Sequence, residues 1–304
     1  TFDLVEAAAG SGRLARDVLD AAAASDPAFY DAVRVRLVER SAAARAAHAT
    51  TLGPHAAKLL GSDPDLAGDT TGVIFANELL DALPPNVVVM TDDGLREVYI
   101  DLDDLGEQLV EWLGPPSSAE VRAHLDQWGI QLEPGWRAEI CPAAVTWVRR
   151  AAGALTRGFL LLIDYGHDAD ELYSAARAAG TLTTYHRHRV AVGPDPAIPA
   201  WLVDPGDRDI TAHVDLTAVR RTAERAGLHT IGVLDQTYFL LGLGAADHVA
   251  VGAADGGVAG LKRRLALKSL LIPGGLGSTH KVLVFGKKVG TPRLASCSYP
   301  GRLT

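Results

Sequence analysis

The chain has 304 residues, 48% of them hydrophobic and 22% charged, with a net charge of −8. This is a globular composition, long enough for one large domain or a core with a substantial insertion. With no long basic run, nonspecific nucleic-acid binding is excluded as the main activity, whereas recognition of one basic protein or peptide stays open. The two cysteines, Cys141 and Cys297, make no disulfide framework and predict a reducing, cytoplasmic setting. The longest apolar runs, such as residues 159–163, are far too short to span a bilayer, and the chain does not open on a signal peptide. No membrane association is expected. Thr1 leads straight into strand-like residues, so further residues upstream are expected.

In chain order, FDLVE (2–6) predicts a strand, a glycine turn follows at Gly10–Gly12, and residues 13–24 predict a helix. Residues 33–39 read as a second strand, 40–51 as a helix and 72–77 as a third strand. Residues 85–102 carry Asp92-Asp93-Gly94 between two β-rich runs, the signature of a hairpin. The charged stretch 103–136 is expected to be mostly helical. An amphipathic helix at 142–155 feeds the apolar strand 158–166. Residues 167–213, rich in His, Arg, Pro and Asp, read as a functional excursion. A helix at 214–228 and strands at 229–234 and 281–287 complete the pattern. The implied segments are a first core part with hairpin (1–102), a helical insertion (103–140) and a core continuation (141–166). A substrate-covering insertion (167–213), core completion (214–288) and a flexible tail (289–304) follow.

Strands alternating with helices predict an α/β fold with a mainly parallel sheet covered on both faces, whose ligands bind at the carboxyl ends of the strands. That rim gathers Glu6, Gly10, Gly12, Glu39, Asn77, Glu78, Asp164 and Tyr165. The glycines let backbone approach a ligand, and the helix start after them favours an anionic group. Glu39, ending the second strand, can accept both hydroxyls of a ribose. The run Gly10-Ser11-Gly12-Arg13-Leu14-Ala15 also fits the dinucleotide pattern, so the loop alone is ambiguous between S-adenosylmethionine (SAM) and NAD. Glu6 tilts the choice toward SAM, because an acid ahead of the glycines suits a ligand with an ammonium group. His186 and His188 have no third ligand nearby in sequence, and no metal is expected.

The blocks VEAAAGSGRLA (5–15), FANELLDALP (75–84), GFLLLIDYG (158–166), GTLTTYHRHRV (180–190), DPGDRDITAHVDL (204–216) and DQTYFLLGLG (235–244) together resemble the MidA-like family of SAM-dependent methyltransferases. The resemblance runs from about residue 2 to 287. It implies a Rossmann-like methyltransferase core with hairpin and helical insertions, SAM as cofactor, and methyl transfer onto an arginine nitrogen of a protein or peptide. Two departures stand out. Ala8 occupies a position where the family usually has glycine, and the family's G-D-F-x-T segment ahead of the first strand is absent from this sequence.

On this reading Glu6, Gly10, Gly12, Glu39 and Asn77 bind the cofactor, while Glu78 and Asp81 face a guanidinium acceptor from a strand end and the first turn of a following helix. Asp164, Tyr165, Tyr185 and His188 line the acceptor side. Asp215 reads as the N-cap of the helix after it, and Asp209, Thr211 and His213 as hydrogen-bonding residues of the same block. The competing readings are a noncatalytic assembly protein that keeps the fold, a small-molecule methyltransferase and, last, an NAD enzyme.

Overall fold

The computed structural model describes residues 1–186, 189–190, 198–247, 257–272 and 276–297. The chain divides into two compact units. The first comprises Thr1–Leu79, Val148–Tyr165 and Thr222–Thr304, and the second Leu80–Trp147 and Gly166–Arg221. The strands in chain order are β1 (Phe2–Ala7), β2 (Val33–Val38), β3 (Leu59–Asp63), β4 (Thr70–Asn77), β5 (Asn86–Thr91), β6 (Gly94–Leu102), β7 (Leu109–Gly114) and β8 (Arg137–Ile140). There follow β9 (Leu155–His167), β10 (Thr183–His186), β11 (Arg189–Val190), β12 (Asp209–Thr211), β13 (Val214–Asp215), β14 (His229–Asp235) and β15 (His280–Lys287).

The first unit is built on a sheet of order β14-β15-β9-β4-β1-β2-β3. All its pairings are parallel except those of β15, which runs antiparallel to both β9 and β14. Apolar, partly β-branched runs make these strands, as expected for a sheet buried beneath helices. Leu4, Val35, Leu37 and Phe75 from the strands enclose Leu19 of helix Arg13–Ser25 and Leu52 of helix Ala42–Leu52. At the β15 edge, Val282, Val284 and Leu234 pack with Cys297. The segment expected to be a flexible tail therefore contributes a buried side chain to this core. Strand β3 was not evident in the sequence, because Leu-Leu-Gly-Ser-Asp has no apolar alternation.

The second unit holds an antiparallel sheet of order β7-β6-β5-β8 and a small sheet of order β11-β10-β12. The expected hairpin is present, with Thr91 paired to Gly94 across Asp92-Asp93. The stretch 103–136 departs from a mostly helical reading. Its helix is confined to Ala119–Trp128, and Leu109–Gly114 forms β7, paired along β6 from Leu102↔Leu109 to Glu97↔Gly114. The short run Leu109-Val110-Glu111-Trp112-Leu113 carries a β-branched and an aromatic residue, and at six residues β7 has ordinary strand length. Val88, Ile140, Val121, Leu125 and Leu172 form this unit's core.

Candidate active site

In the first unit the parallel strands β1, β2, β4 and β9 end together, and the chain's turns there carry the predicted residues. Glu6 is 5% exposed, and its Oε2 accepts the Ala15 backbone N–H at 3.0 Å. Ala15 lies in the first turn of helix Arg13–Ser25, whose N-cap is Gly12 with no side chain to offer. Glu6 thus satisfies one of the helix's unpaired N-terminal donors from below. A carboxylate at a helix N-terminus is normally favoured. Burial outweighs this and pushes the Glu6 carboxyl up to about 7.

This has a stability consequence. The folded state retains a proton between the ordinary carboxyl value and about 7 that the unfolded chain has released. The Glu6 contribution is therefore fully present at low pH and lost as pH rises toward and through 7, a change of roughly 3–4 kcal/mol. His124 and His213, both held down to about 4 first by burial, act in the opposite sense and lose their contribution as pH falls below the ordinary imidazole value. Comparing melting curves of the wild type and Glu6→Gln from pH 5 to 8 isolates Glu6. The variant's relative stability should rise with pH, and a constant difference would contradict the assignment.

The loop between β1 and the first helix is clamped from two sides. Gly10 N–H donates to Glu39 Oε2 at 2.9 Å, and Ser41 N–H to Glu39 Oε1 at 2.8 Å. A carboxylate has about four lone-pair sites, so each Glu39 oxygen can still accept a hydroxyl. From the other side His48, with no solvent exposure, bonds the Gly10 carbonyl through Nε2 at 2.9 Å and Ser62 Oγ through Nδ1 at 2.6 Å. Sequence reasoning missed His48. Its signal is its place one turn before the buried Leu52 in helix Ala42–Leu52. Gly12 has φ +81°, and a Cβ there would meet Leu37 Cδ1 at 3.0 Å. Ala8, the departure from the family pattern, also adopts a left-handed conformation, with φ +55°.

Asn77 and Glu78 end β4, both exposed. Glu78 has φ +49°, a conformation rare for a non-glycine residue, and strain of this kind concentrates at functional sites. Its backbone N–H is held by the Ile163 carbonyl at 2.8 Å. Its carboxyl lies below the usual range, first through the His280 imidazole, whose Nε2 is 3.4 Å from Oε1, and also through the Asn77 side chain. At that length the histidine contact is electrostatic pairing more than a strong hydrogen bond. His280, a second residue the sequence did not single out, lies tilted at 56° against the Tyr165 ring, with centroids 5.4 Å apart. Tyr165 is half-buried, whereas Asp164 is 1% exposed and accepts the Tyr165 N–H at 3.0 Å. Asp164 is therefore a buried strand residue, not an open rim carboxylate.

Asp81 belongs to the second unit, since the division falls between Leu79 and Leu80. The expected helix after Asn77 does not form. Residues 78–85 are bends and turns, and Pro84-Pro85 explains why: proline supplies no N–H and disfavours the helical region for the residue before it. Asp81 Oδ2 accepts the Thr211 hydroxyl at 3.0 Å. Asp215 Oδ1 accepts Ala218 N–H at 2.8 Å, capping helix Leu216–Arg225 as expected. Tyr185 lies in β10, opposite Val190 and Asp209. His188 lies outside the described residues.

A parallel sheet with a reversed β15 inserted between its last two members, and a glycine loop clamped by the acid after β2, defines a Rossmann-like nucleoside-binding core of the methyltransferase kind. The chain belongs to the family described as "Putative S-adenosyl-L-methionine-dependent methyltransferase", whose model matches residues 1–234. This is the MidA-like family to which the sequence blocks pointed. A solved protein from Burkholderia thailandensis, bound to S-adenosyl-homocysteine, is 31% identical with a TM-score of 0.83, covering 100% of this chain and 76% of that one. Two curated relatives are each named "Protein arginine methyltransferase NDUFAF7, mitochondrial". The rat protein is 28% identical over 184 residues, 59% of this chain, and the human protein 30% identical over 172 residues, 56% of it. These matches span 38% and 34% of the relatives' own lengths.

Proposed function

We propose that this protein binds SAM at the strand ends carrying Glu6, Gly10, Gly12, Glu39 and Asn77, and transfers its methyl group to an arginine nitrogen of a protein or peptide. The observation that carries the cofactor half is the Glu39 carboxylate. It fixes the glycine loop through Gly10 and keeps lone pairs for a ribose diol. Support for the ligand comes from family membership and the S-adenosyl-homocysteine bound to the Burkholderia relative. Support for an arginine acceptor comes from the names of the curated relatives. The free thiols Cys141 and Cys297 fit a reducing compartment such as the cytoplasm.

In the reaction the guanidine nitrogen attacks the sulfonium methyl in line. The N–C bond forms as the S–C bond breaks, the bonding pair returns to sulfur, and the methylated nitrogen gives up its proton. Positioning supplies much of the acceleration in such a displacement. Glu78 suits the task of orienting a cation, because its depressed carboxyl is ionised at neutral pH and its backbone is fixed by Ile163. A charge-assisted hydrogen bond contributes roughly 1.5–3 kcal/mol. Glu78→Gln should therefore lower turnover about ten- to a hundredfold while leaving SAM affinity unchanged, with arginine peptides assayed against hydroxyl acceptors. Full activity in the variant, together with methylation of a hydroxyl and no arginine product, would remove both Glu78 and the arginine assignment.

A further inference from the structure

Helix Gly257–Leu271, in the first unit, is apolar on two sides, and among the described residues only one of them is covered. On the covered side Gly260 is buried, and Leu267, Leu270 and Leu271 are half-buried. The Thr237 hydroxyl donates to the Leu271 carbonyl at 3.0 Å and ties down the helix end. On the other side Val258, Leu261 and Leu265 are 70%, 48% and 57% exposed. Ile272, 40% exposed, donates its N–H to the Lys268 carbonyl at 3.0 Å and so continues the helical register. The spacing i, i+3, i+7, i+14 sets these four side chains in one stripe. With 3.6 residues per turn, Lys262 falls on one flank of the stripe and Lys268 on the other, both exposed. A surface helix of a globular domain normally turns polar residues to water opposite its buried face. Here the outward face has an aliphatic centre and basic margins. The helix contains Lys262, Arg263, Arg264 and Lys268 and no acidic residue, within a chain whose net charge is −8.

We infer that this face lies on an anionic lipid surface, with Val258, Leu261, Leu265 and Ile272 entering the acyl boundary and Lys262 and Lys268 reaching the headgroup phosphates. A lipid interface presents negative charge above an apolar layer, the two chemistries that the stripe and its margins display side by side. Lysine suits the margin, because its four-carbon stem can follow apolar surface while the ammonium stays at the phosphates. Charge argues against a second copy of the chain as occupant. A symmetric pair on this stripe would bring two helices rich in cations and free of acids against each other. None of the described helices is long and apolar enough to cross a membrane, but a helix lying in the interface needs no such span. The inference is independent of the methyl acceptor and of the cofactor.

The test mixes the full chain with vesicles of phosphatidylcholine and phosphatidylglycerol in equal parts, and with vesicles of phosphatidylcholine alone, and reads binding by flotation. The chain should float with the mixed vesicles, at least tenfold less with phosphatidylcholine alone, and be released by raised salt. Leu261→Ser with Leu265→Ser, and separately Lys262→Gln with Lys268→Gln, should each weaken flotation at least tenfold while thermal melts stay unchanged. Both lysines are exposed, so their variant carries the comparison if the serine pair fails to fold. No flotation, flotation indifferent to the anionic lipid, or undiminished flotation of the folded lysine variant would overturn the inference. Two further results would also overturn it. Calorimetry showing polyglutamate bound as tightly as the mixed vesicles would assign the face to an acidic protein. Self-association in sedimentation equilibrium that the serine pair abolishes would assign it to a second copy.

Discussion

Glu39→Ala is expected to weaken SAM binding by about ten- to a hundredfold. The carboxylate has two tasks that one substitution removes together. It accepts the Gly10 and Ser41 backbone N–H groups, which fixes the loop between β1 and the first helix. Each of its oxygens keeps a lone pair for a ribose hydroxyl. Each charge-assisted hydrogen bond is worth roughly 1.5–3 kcal/mol, and about 1.4 kcal/mol corresponds to tenfold in affinity. The fold should survive, because Glu39 is only half-buried and follows the last residue of β2. His48 still holds the Gly10 carbonyl from the other side. Calorimetry with a parallel thermal melt checks both points. Unchanged SAM affinity in a folded variant would remove Glu39 from the cofactor site.

A large loss of stability is expected from Gly72→Ala, about 4 kcal/mol or more. Gly72 lies in β4 between β1 and β9, opposite Asp3 and Gly158, at φ +148°. A Cβ built there would stand 2.0 Å from the Asp3 carbonyl oxygen, well inside any tolerable contact. The obstruction is backbone, so no side-chain rotation relieves it, and the central strands would have to separate. Urea unfolding should show a large drop in midpoint, or no folded protein. A variant as stable as the wild type would mean that β4 does not approach β1 this closely.

Much of the first unit was legible because its strands are apolar runs ending on polar residues, and its turns carry glycine where the chain reverses. Glu39 and the Gly10–Gly12 loop could be placed at one rim from that pattern alone. What the pattern could not carry is partnership across sequence distance. His48 and His280 are ordinary residues in the sequence and acquire meaning only from Gly10, Ser62, Glu78 and Tyr165, which lie far along the chain or across the sheet. Two errors have local causes. The spacing of Glu78 and Asp81 predicts that they face one pocket from a strand end and the first turn of a following helix, but Pro84-Pro85 keeps the segment out of helix. Charge density in 103–136 hid β7, whose short apolar run has no period of its own to separate strand from helix.

Everything proposed for this site depends on SAM being the ligand of the clamped glycine loop. Titration calorimetry of the chain against SAM, S-adenosyl-homocysteine and NAD tests it most directly. The expected result is one site that binds SAM and its demethylated product and gives no heat with NAD. Saturable binding of NAD, or no binding of either sulfur ligand by the folded chain, would contradict it.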